Sequence, residues 1–391
     1  MVYMFLVDEP YVSDFFKKTV SDNSIPVVRT EAAGKMNLHG GTRLLEEDAA
    51  VDSAGRALPR LYTTFENSID WITGNLGFTG IPDKIRLFKD KLKFRRLTES
   101  IFPDFFFIEV PFDSLREVEL EKLVFPFIIK PAVGFFSMGV YLVEDRDAWA
   151  GIVDSIEAEM EKVKGLYPEN VLDTDMFIVE ECITGDEFAV DAYFNDKGEA
   201  VILNILEHVF SSAADVSDRV YSTSGRIIEE NLDEFTAFLN KIGNAADVRN
   251  FPVHLELRRN ADGILLPIEV NPMRFGGWCT TADMAALAYG FNPYLYYYNQ
   301  MVPDWPALLA GKEDSVFSII VLDNSTGLPA EEIGAFDYDK LLGMFGQPLE
   351  LRKIDYSRYP VFGFLFAETE KNNQDELDYI LGSDLREFVI S

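Results

Sequence analysis

Apolar and polar residues alternate most regularly between residues 253 and 277, and this pattern predicts a β-hairpin. Leu255 and Leu257 take one face of the first strand, while the positions between them are polar. In the second strand Glu269 and Asn271 share one face. A turn rich in Asn, Asp and Gly separates the strands, so both polar faces are expected on one surface.

That surface carries three oxygen donors, Glu256, Glu269 and Asn271. Hard divalent cations prefer carboxylate and amide oxygens. Two neighbouring carboxylates repel each other unless a positive charge lies between them, so the hairpin predicts a metal site. Arg274 and two glycines follow directly, giving a cation and a backbone that allows close approach. His254 shares the polar face, where a hydrogen-bonding role is favoured over catalysis.

Short apolar strands alternate with amphipathic segments through the rest of the chain, a pattern typical of α/β and α+β folds. Strands over residues 2–7 and near 27–28 enclose a helix over 10–20. Strands over 316–322 and 361–367 dominate the last part. Further helices are predicted over residues 83–97, 145–164, 231–243, 280–289 and 376–389.

The segment 83–97 concentrates seven Lys and Arg residues in one predicted helix. For most of them a solvated helix face is the favoured interpretation. A domain boundary is expected near residue 100, where Pro103 and several phenylalanines interrupt the helical pattern.

Residues 124–143 combine a buried strand, a lysine and a turn of small residues. Lys130 ends the strand, and the turn contains Gly134, Ser137 and Gly139. Free backbone N–H groups and one ammonium converging on the same space form a place to hold phosphates. An ordinary hairpin whose lysine reaches solvent fits the pattern equally well.

Two further segments leave alternatives open. Glu187 and Asp191 lie four residues apart on a predicted strand, hence on one face, which fits either a groove wall or a solvent-facing edge. The Ser- and Asp-rich segment 208–225 is long enough to be a mobile loop over a site, but an ordinary surface excursion is at least as well supported.

Composition narrows the function classes. The 391 residues suggest two or three domains, and 35 Lys and Arg against 66 Asp and Glu give a net charge of −31. Such a surface repels nucleic acid, so that partner class is excluded. The phosphates of a bound nucleotide would have to be held by a few local cations and by bound metal, because the overall charge repels them. Glycines at 34–41 match no dinucleotide or P-loop motif.

Cysteine usage and hydropathy indicate a cytoplasmic protein without membrane contact. Only Cys182 and Cys279 occur, which argues against a disulfide framework. The N-terminus lacks a basic region ahead of Asp8 and Glu9, so no signal peptide is expected. No apolar run approaches a membrane-spanning length.

Three separated pieces resemble the ATP-grasp superfamily, which includes D-alanine:D-alanine ligase, biotin carboxylase, carbamoyl-phosphate synthase and the L-amino acid ligases. They are IIKPAVGFFSMGV at 128–140, IVEECITGDEFAVD at 178–191, and HLELR with IEVNPMRFGG at 254–277. The resemblance covers about residues 85–295 and implies an ATP-grasp fold after an α/β domain. Its three motifs stand in the family's order, although Met273 is interposed between the Asn-Pro pair and the arginine.

The resemblance implies roles for individual residues. Lys130 and Lys91 would bind phosphates under the 134–139 loop, which includes Gly134, Ser137 and Gly139. The backbone of Glu180, Glu181, Cys182 and Ile183 would read the adenine edge, and Glu187 would accept from the ribose. Glu256, Glu269 and Asn271 would hold Mg²⁺ or Mn²⁺. Arg274, with Lys130, would act catalytically by stabilising the transferred phosphoryl group.

The implied activity is an ATP-dependent carboxylate–amine ligase that forms an amide through an acyl phosphate, acting on amino acids or small peptides. A phosphotransferase on the same scaffold, or a nucleotide-binding regulator without turnover, are the alternatives. The partners would be small-molecule carboxylates and amines, and a homodimer is left open. The expected domains are an α/β domain over 1–100, a lid over 101–190, a metal-bearing part over 191–300 and an α+β extension over 301–391.

Overall fold

The computed structural model describes residues 2–134, 139–163, 175–211 and 218–390. The first unit is a parallel sheet in the order β3–β2–β1–β4. Its strands are β1 (Val2–Leu6), β2 (Val27–Val28), β3 (Leu44–Leu45) and β4 (Pro59–Thr63). Its helices are α1 (Asp14–Asp22), α2 (Glu31–Lys35), α3 (Glu47–Arg56) and α4 (Ser68–Asn75).

Two basic helices, α5 (Ile81–Lys89) and α6 (Lys91–Thr98), lead into a small antiparallel sheet in the order β5–β8–β6–β7. The strands of this sheet are β5 (Phe107–Pro111), β6 (Phe127–Pro131), β7 (Tyr141–Val143) and β8 (Met176–Glu181). Helix α7 (Trp149–Val163) packs its apolar side on this sheet.

A large antiparallel sheet forms the second half of the chain, in the order β13–β12–β9–β10–β11–β14–β17–β16. Its strands are β9 (Asp186–Phe194), β10 (Ala200–Val209), β11 (Val220–Ser224), β12 (Phe251–Arg259), β13 (Leu265–Pro272), β14 (Ser315–Asp323), β16 (Pro348–Lys353) and β17 (Val361–Glu370). Strand β9 runs across the boundary expected at residue 190. The segment after residue 300 extends the same large sheet with strands β14, β16 and β17.

The remaining elements cover this sheet. The helices are α8 (Gly225–Ala246), α9 (Thr280–Tyr289), α10 (Pro293–Asn299), α11 (Trp305–Leu309), α12 (Tyr338–Leu342) and α13 (Asp375–Gly382). A short pair, β15 (Ala335–Phe336) and β18 (Val389–Ile390), closes the C-terminal end. Within the described ranges no helix is long and apolar enough to span a membrane.

Local capping explains where the helices differ from the sequence expectation. Helix α1 begins at residue 14 instead of 10 because the Ser13 hydroxyl accepts from the Phe16 N–H at 3.1 Å. The single helix expected over 83–97 is two helices, since Asp90 leaves the helical conformation and its side chain caps α6 by accepting from the Lys93 N–H. The helix expected over 376–389 ends at 382, and Leu385 follows with a φ of 61°.

Candidate active site

A cleft of about 390 Å³ lies between the small sheet, the β12–β13 hairpin and the segment that follows β4. Its volume is in the range of small-molecule sites. The cleft collects most of the residues singled out in the sequence. Those that line it are Lys130, Gly134, Glu180, Glu181, Cys182, Ile183, Glu187, Glu256, Glu269, Asn271 and Arg274.

Three of the predicted residues do not stand among the described lining residues. Ser137 lies outside the described residues. Gly139 has a φ of 69°, and a Cβ there would approach the Pro131 ring at 3.0 Å, so its part is in the turn. Lys91 is anchored by its backbone N–H to the Ala132 carbonyl at 2.8 Å, and its ammonium lies 3.7 Å from Glu269.

The hairpin brings its oxygen donors together on one face, and a one-residue register shift between Glu256 and Leu257 contributes to this placement. Glu256 and Glu269 are direct cross-strand partners, and His254 pairs with Asn271. The Asn271 amide donates to Glu269 Oε1 at 3.0 Å. His254 Nδ1 lies 2.7 Å from Asp191 Oδ1, and its Nε2 is 3.7 Å from Glu256 Oε1. The imidazole therefore lies between the fully buried Asp191 carboxylate and the Glu256 carboxylate of the hairpin.

The two facing carboxylates differ in their electrostatic surroundings. Burial, followed by the charge of Glu269, raises the pKa of Glu256 well above its ordinary value. Burial also opposes ionisation of Glu269, but Lys91, with Lys89 and Lys130 behind it, lowers the pKa of that carboxyl. Glu269 is therefore the more acidic of the two facing carboxyls, and its negative charge disfavours a second charge on Glu256.

The donor set and the charge of the cleft fit a divalent cation. Among the described lining residues there are four Lys or Arg and seven Asp or Glu side chains. An anionic polyphosphate would be repelled by this excess unless a cation of high charge came with it. Glu256, Glu269 and Asn271 supply the oxygen ligands that Mg²⁺ accepts.

Lys130 and Glu180 form a buried charge cluster with Arg95, a residue that sequence reasoning left on a solvated face. Lys130 Nζ lies 2.5 Å from Glu180 Oε1, and Arg95 Nε donates to Glu180 Oε2 at 2.8 Å. Arg95 also donates to the Pro267 carbonyl at 2.6 Å, which ties α6 to β13. Burial works against ionisation of Glu180, yet Arg95 and Lys130 lower its pKa to about 2.

Removing Arg95 should therefore cost stability in a way that removing its neighbour does not. We expect Arg95→Met to lower the free energy of unfolding by about 3 kcal/mol, since a buried carboxylate and a backbone carbonyl lose their donor. Arg96→Met is the matched control, because Arg96 is exposed and pairs with the exposed Glu109; its expected effect is within about 0.5 kcal/mol. Urea denaturation measures both, and equal effects would contradict the buried role of Arg95.

Glu66 brings the first unit of the fold into the cleft. Its Oε1 accepts from Arg274 Nη2 at 2.7 Å and Nε at 3.2 Å, and its Oε2 contacts the Lys89 ammonium. Burial opposes the charge of Glu66, but Lys89 and Arg274 outweigh it and lower its pKa to about 2. The Glu66 carboxylate thereby holds two cations at the cleft wall. Glu66 and Arg274 are more than 200 residues apart along the chain.

Glu187 lies at the other end of the cleft with both oxygens engaged. Oε2 accepts from Arg258 Nε at 2.8 Å, and Oε1 is 3.0 Å from His208 Nδ1. The His208 ring stacks on Tyr221 with 4.2 Å between centroids. Asp191, on the same strand, is fully buried and does not stand among the described residues that line the cleft. The groove-wall interpretation thus holds for Glu187 and is wrong for Asp191.

The predicted adenine-reading segment divides into two parts. Glu180 and Glu181 complete β8, where their backbones pair with β5 and β6. Cys182 and Ile183 follow as irregular chain along the cleft, and the Ile183 carbonyl accepts from Arg258. Backbone recognition of a base by residues 180–183 remains a prediction, and Glu180 also contributes its side chain to the cleft.

Comparison with known proteins identifies a domain within the chain. Residues 123–282 match the model of the ATP-grasp domain. The L-arginine-specific L-amino acid ligase of Bacillus subtilis is 25% identical over 161 residues, which are 40% of this chain and 36% of that protein. The chain thus matches about a third of the length of this curated relative.

Among solved structures, the L-amino acid ligase from Bacillus licheniformis superposes with a TM-score of 0.69 at 17% identity, covering 100% of this chain and 98% of that one. Biotin carboxylase from Campylobacter jejuni gives 0.61 at 11% identity, covering 94% and 87%. N5-carboxyaminoimidazole synthase from Aspergillus clavatus, in complex with ADP, gives 0.62 at 12% identity, covering 99% and 98%. At these identities the likeness establishes the ATP-grasp fold.

Proposed function

Since residues 123–282 carry an ATP-grasp domain, we propose that this chain is an ATP-dependent carboxylate–amine ligase acting on amino acids or small peptides. The observation that carries the proposal is the single cleft in which Lys130 faces the paired carboxylates of Glu256 and Glu269. A cation for phosphates and oxygen donors for a metal then meet in one space. The names of the relatives, ligases of amino acids among them, support the same reaction class.

In the proposed reaction a substrate carboxylate oxygen attacks the γ-phosphorus of ATP, and ADP leaves. The amine then attacks the acyl carbon, phosphate is expelled and the nitrogen loses a proton. Lys130 and Lys91 would hold phosphate oxygens, and Glu256, Glu269 and Asn271 would hold Mg²⁺, which neutralises phosphate charge when bound. Arg274 orients the transferring group with its planar guanidinium.

The chain needs no covalent nucleophile for this chemistry. The task is positioning and electrostatic stabilisation, because the attacking group belongs to the substrate. The cleft offers charged groups that are already oriented: Glu66 fixes Arg274 with two hydrogen bonds, and Glu180 fixes Lys130. Groups held in this way lose little freedom when charge develops next to them.

Hydroxylamine provides a test that does not require the natural amine. The purified chain is incubated with Mg²⁺-ATP, hydroxylamine and pools of amino acids, and ADP, phosphate and acyl hydroxamate are measured. We expect equal amounts of ADP and phosphate, and hydroxamate only where the carboxylate is present. ADP without free phosphate would contradict the ligase and indicate transfer to an alcohol. No nucleotide consumption with any pool would contradict both.

A further inference from the structure

A left-handed turn joins the β12–β13 hairpin to helix α9. Trp278 and Cys279 have φ values of 57° and 58°, consecutive positive values that side-chain-bearing residues rarely adopt. Such conformations persist where the surrounding structure over-determines them. Trp278 lines the cleft four residues after Arg274, so the path of this turn sets one wall of the site.

Asp191 fixes the beginning of the turn. The Gly276 N–H donates to Asp191 Oδ1 at 2.9 Å, and the Thr281 hydroxyl donates to Oδ2 at 2.5 Å. A Cβ at residue 276 would meet the Thr281 hydroxyl oxygen at 2.2 Å, so the close approach requires glycine. Because Asp191 lies on β9, the large sheet itself holds this side of the turn.

Arg352 fixes the end of the turn, and it comes from the C-terminal strand β16. Its Nη1 lies 3.4 Å from the carbonyls of both Trp278 and Cys279. Its Nη2 donates to Asp283 Oδ2 at 2.7 Å, in the first turn of α9. The guanidinium is buried and stacks over the Phe366 ring at 4.4 Å.

We propose that Arg352 is a positioning residue for the active site. Its guanidinium hydrogen-bonds the carbonyls of the two left-handed residues and ion-pairs with Asp283, which keeps Trp278 and Arg274 aimed into the cleft. The C-terminal segment thereby acts on the chemistry without touching substrate. The kinetic part of this inference rests on the proposed ligase activity, whereas its structural part does not.

The geometry also explains why the residue is arginine. One planar fork reaches two carbonyls and a carboxylate at once, whereas a lysine offers a single point charge. The Asp283 carboxylate is shared with the Tyr294 hydroxyl at 2.7 Å, so the ion pair is itself held in place. Lysine at this position would keep the charge beside Asp283 and lose the simultaneous carbonyl contacts.

The test compares Arg352→Met and Arg352→Lys with Lys353→Met, a matched control that removes a cation from the next, exposed position of β16. Amide hydrogen exchange over residues 276–283 is measured on the full chain without substrate. We expect exchange there to accelerate by about tenfold or more in Arg352→Met, less in Arg352→Lys and not in the control. The kcat/KM for the carboxylate substrate should fall by about tenfold or more, with the KM for ATP nearly unchanged.

Exchange and kcat/KM both within about twofold of the parent in a folded Arg352→Met chain would overturn the proposal. If that variant does not fold, Arg352→Lys decides by the same criterion. If the parent shows no ligase activity, the proposed function fails, yet the exchange experiment still decides whether Arg352 holds the turn.

Discussion

Replacing Glu269 with glutamine is expected to lower Mg²⁺-dependent ATP turnover by about 10²–10³-fold or more, with the fold intact. Glutamine keeps the shape of the side chain and its contact with Asn271 but removes a charged oxygen ligand. The change relieves repulsion on Glu256 and removes the ion pair with Lys91, two effects of opposite sign on the free energy of unfolding. Steady-state ADP formation measures the turnover, and thermal melting measures whether the fold is retained.

Asp262→Asn is the matched control for Glu269→Gln. Asp262 lies in the turn of the same hairpin, is exposed and does not line the cleft. The same chemical change there should leave turnover within about twofold of the parent. Turnover retained in Glu269→Gln, or lost equally in both variants, would remove the metal assignment.

Arg274→Lys is the second change with a large expected effect. Arg274 presents a planar fork that Glu66 holds through two nitrogens, and lysine cannot reproduce that arrangement. We expect kcat to fall by about 10²-fold while the affinity for Mg²⁺-ATP changes little, because the positive charge is retained. Single-turnover kinetics and equilibrium nucleotide binding separate the two quantities.

Arg226→Lys serves as the control, since Arg226 is exposed on α8 and pairs with the exposed Glu230. Arg226→Lys should change neither kcat nor the affinity for Mg²⁺-ATP measurably. A normal kcat in Arg274→Lys, or a loss of nucleotide binding without a change in kcat, would contradict the assignment of Arg274 to the transferred phosphoryl group.

Met273, the residue interposed between the Asn-Pro pair and Arg274, has a defined place in the fold. Met273 is buried with a φ of 69°, its N–H donates to the Pro252 carbonyl at 2.8 Å, and its carbonyl accepts from Thr63 N–H at 2.8 Å. Met273 thus follows the end of β13 as a single left-handed residue. Arg274 is delivered to the cleft, where Glu66 holds it.

Local pattern was sufficient for the two strands of the hairpin, for its turn and for α9. The direct pairing of Glu256 with Glu269 also depends on a one-residue register shift between Glu256 and Leu257, because the register next to the turn would place Glu256 opposite Ile268. Helix α9 begins and ends where the sequence predicts, at Thr280 and Tyr289. These features depend on neighbours within a few residues, which periodicity records.

Distant partners could not be predicted in this way. The solvated-face interpretation of residues 83–97 holds for Arg86, Lys93 and Arg96 and is wrong for Lys89 and Arg95, which are buried. A cation is buried only when an anion meets it, and their partners are Glu66 and Glu180. Nothing in a helical charge pattern identifies a carboxylate that belongs to a distant part of the chain.

Transfer of oxygen from carboxylate to phosphate tests the central claim most directly. A mixture of amino acids labelled with ¹⁸O in their carboxylates is incubated with the chain, Mg²⁺-ATP and hydroxylamine, and the released phosphate is analysed by mass spectrometry. An acyl phosphate formed in this cleft predicts one ¹⁸O atom in each phosphate released. Phosphate that forms without any ¹⁸O would contradict the account, because ATP would then be cleaved by water or by another acceptor.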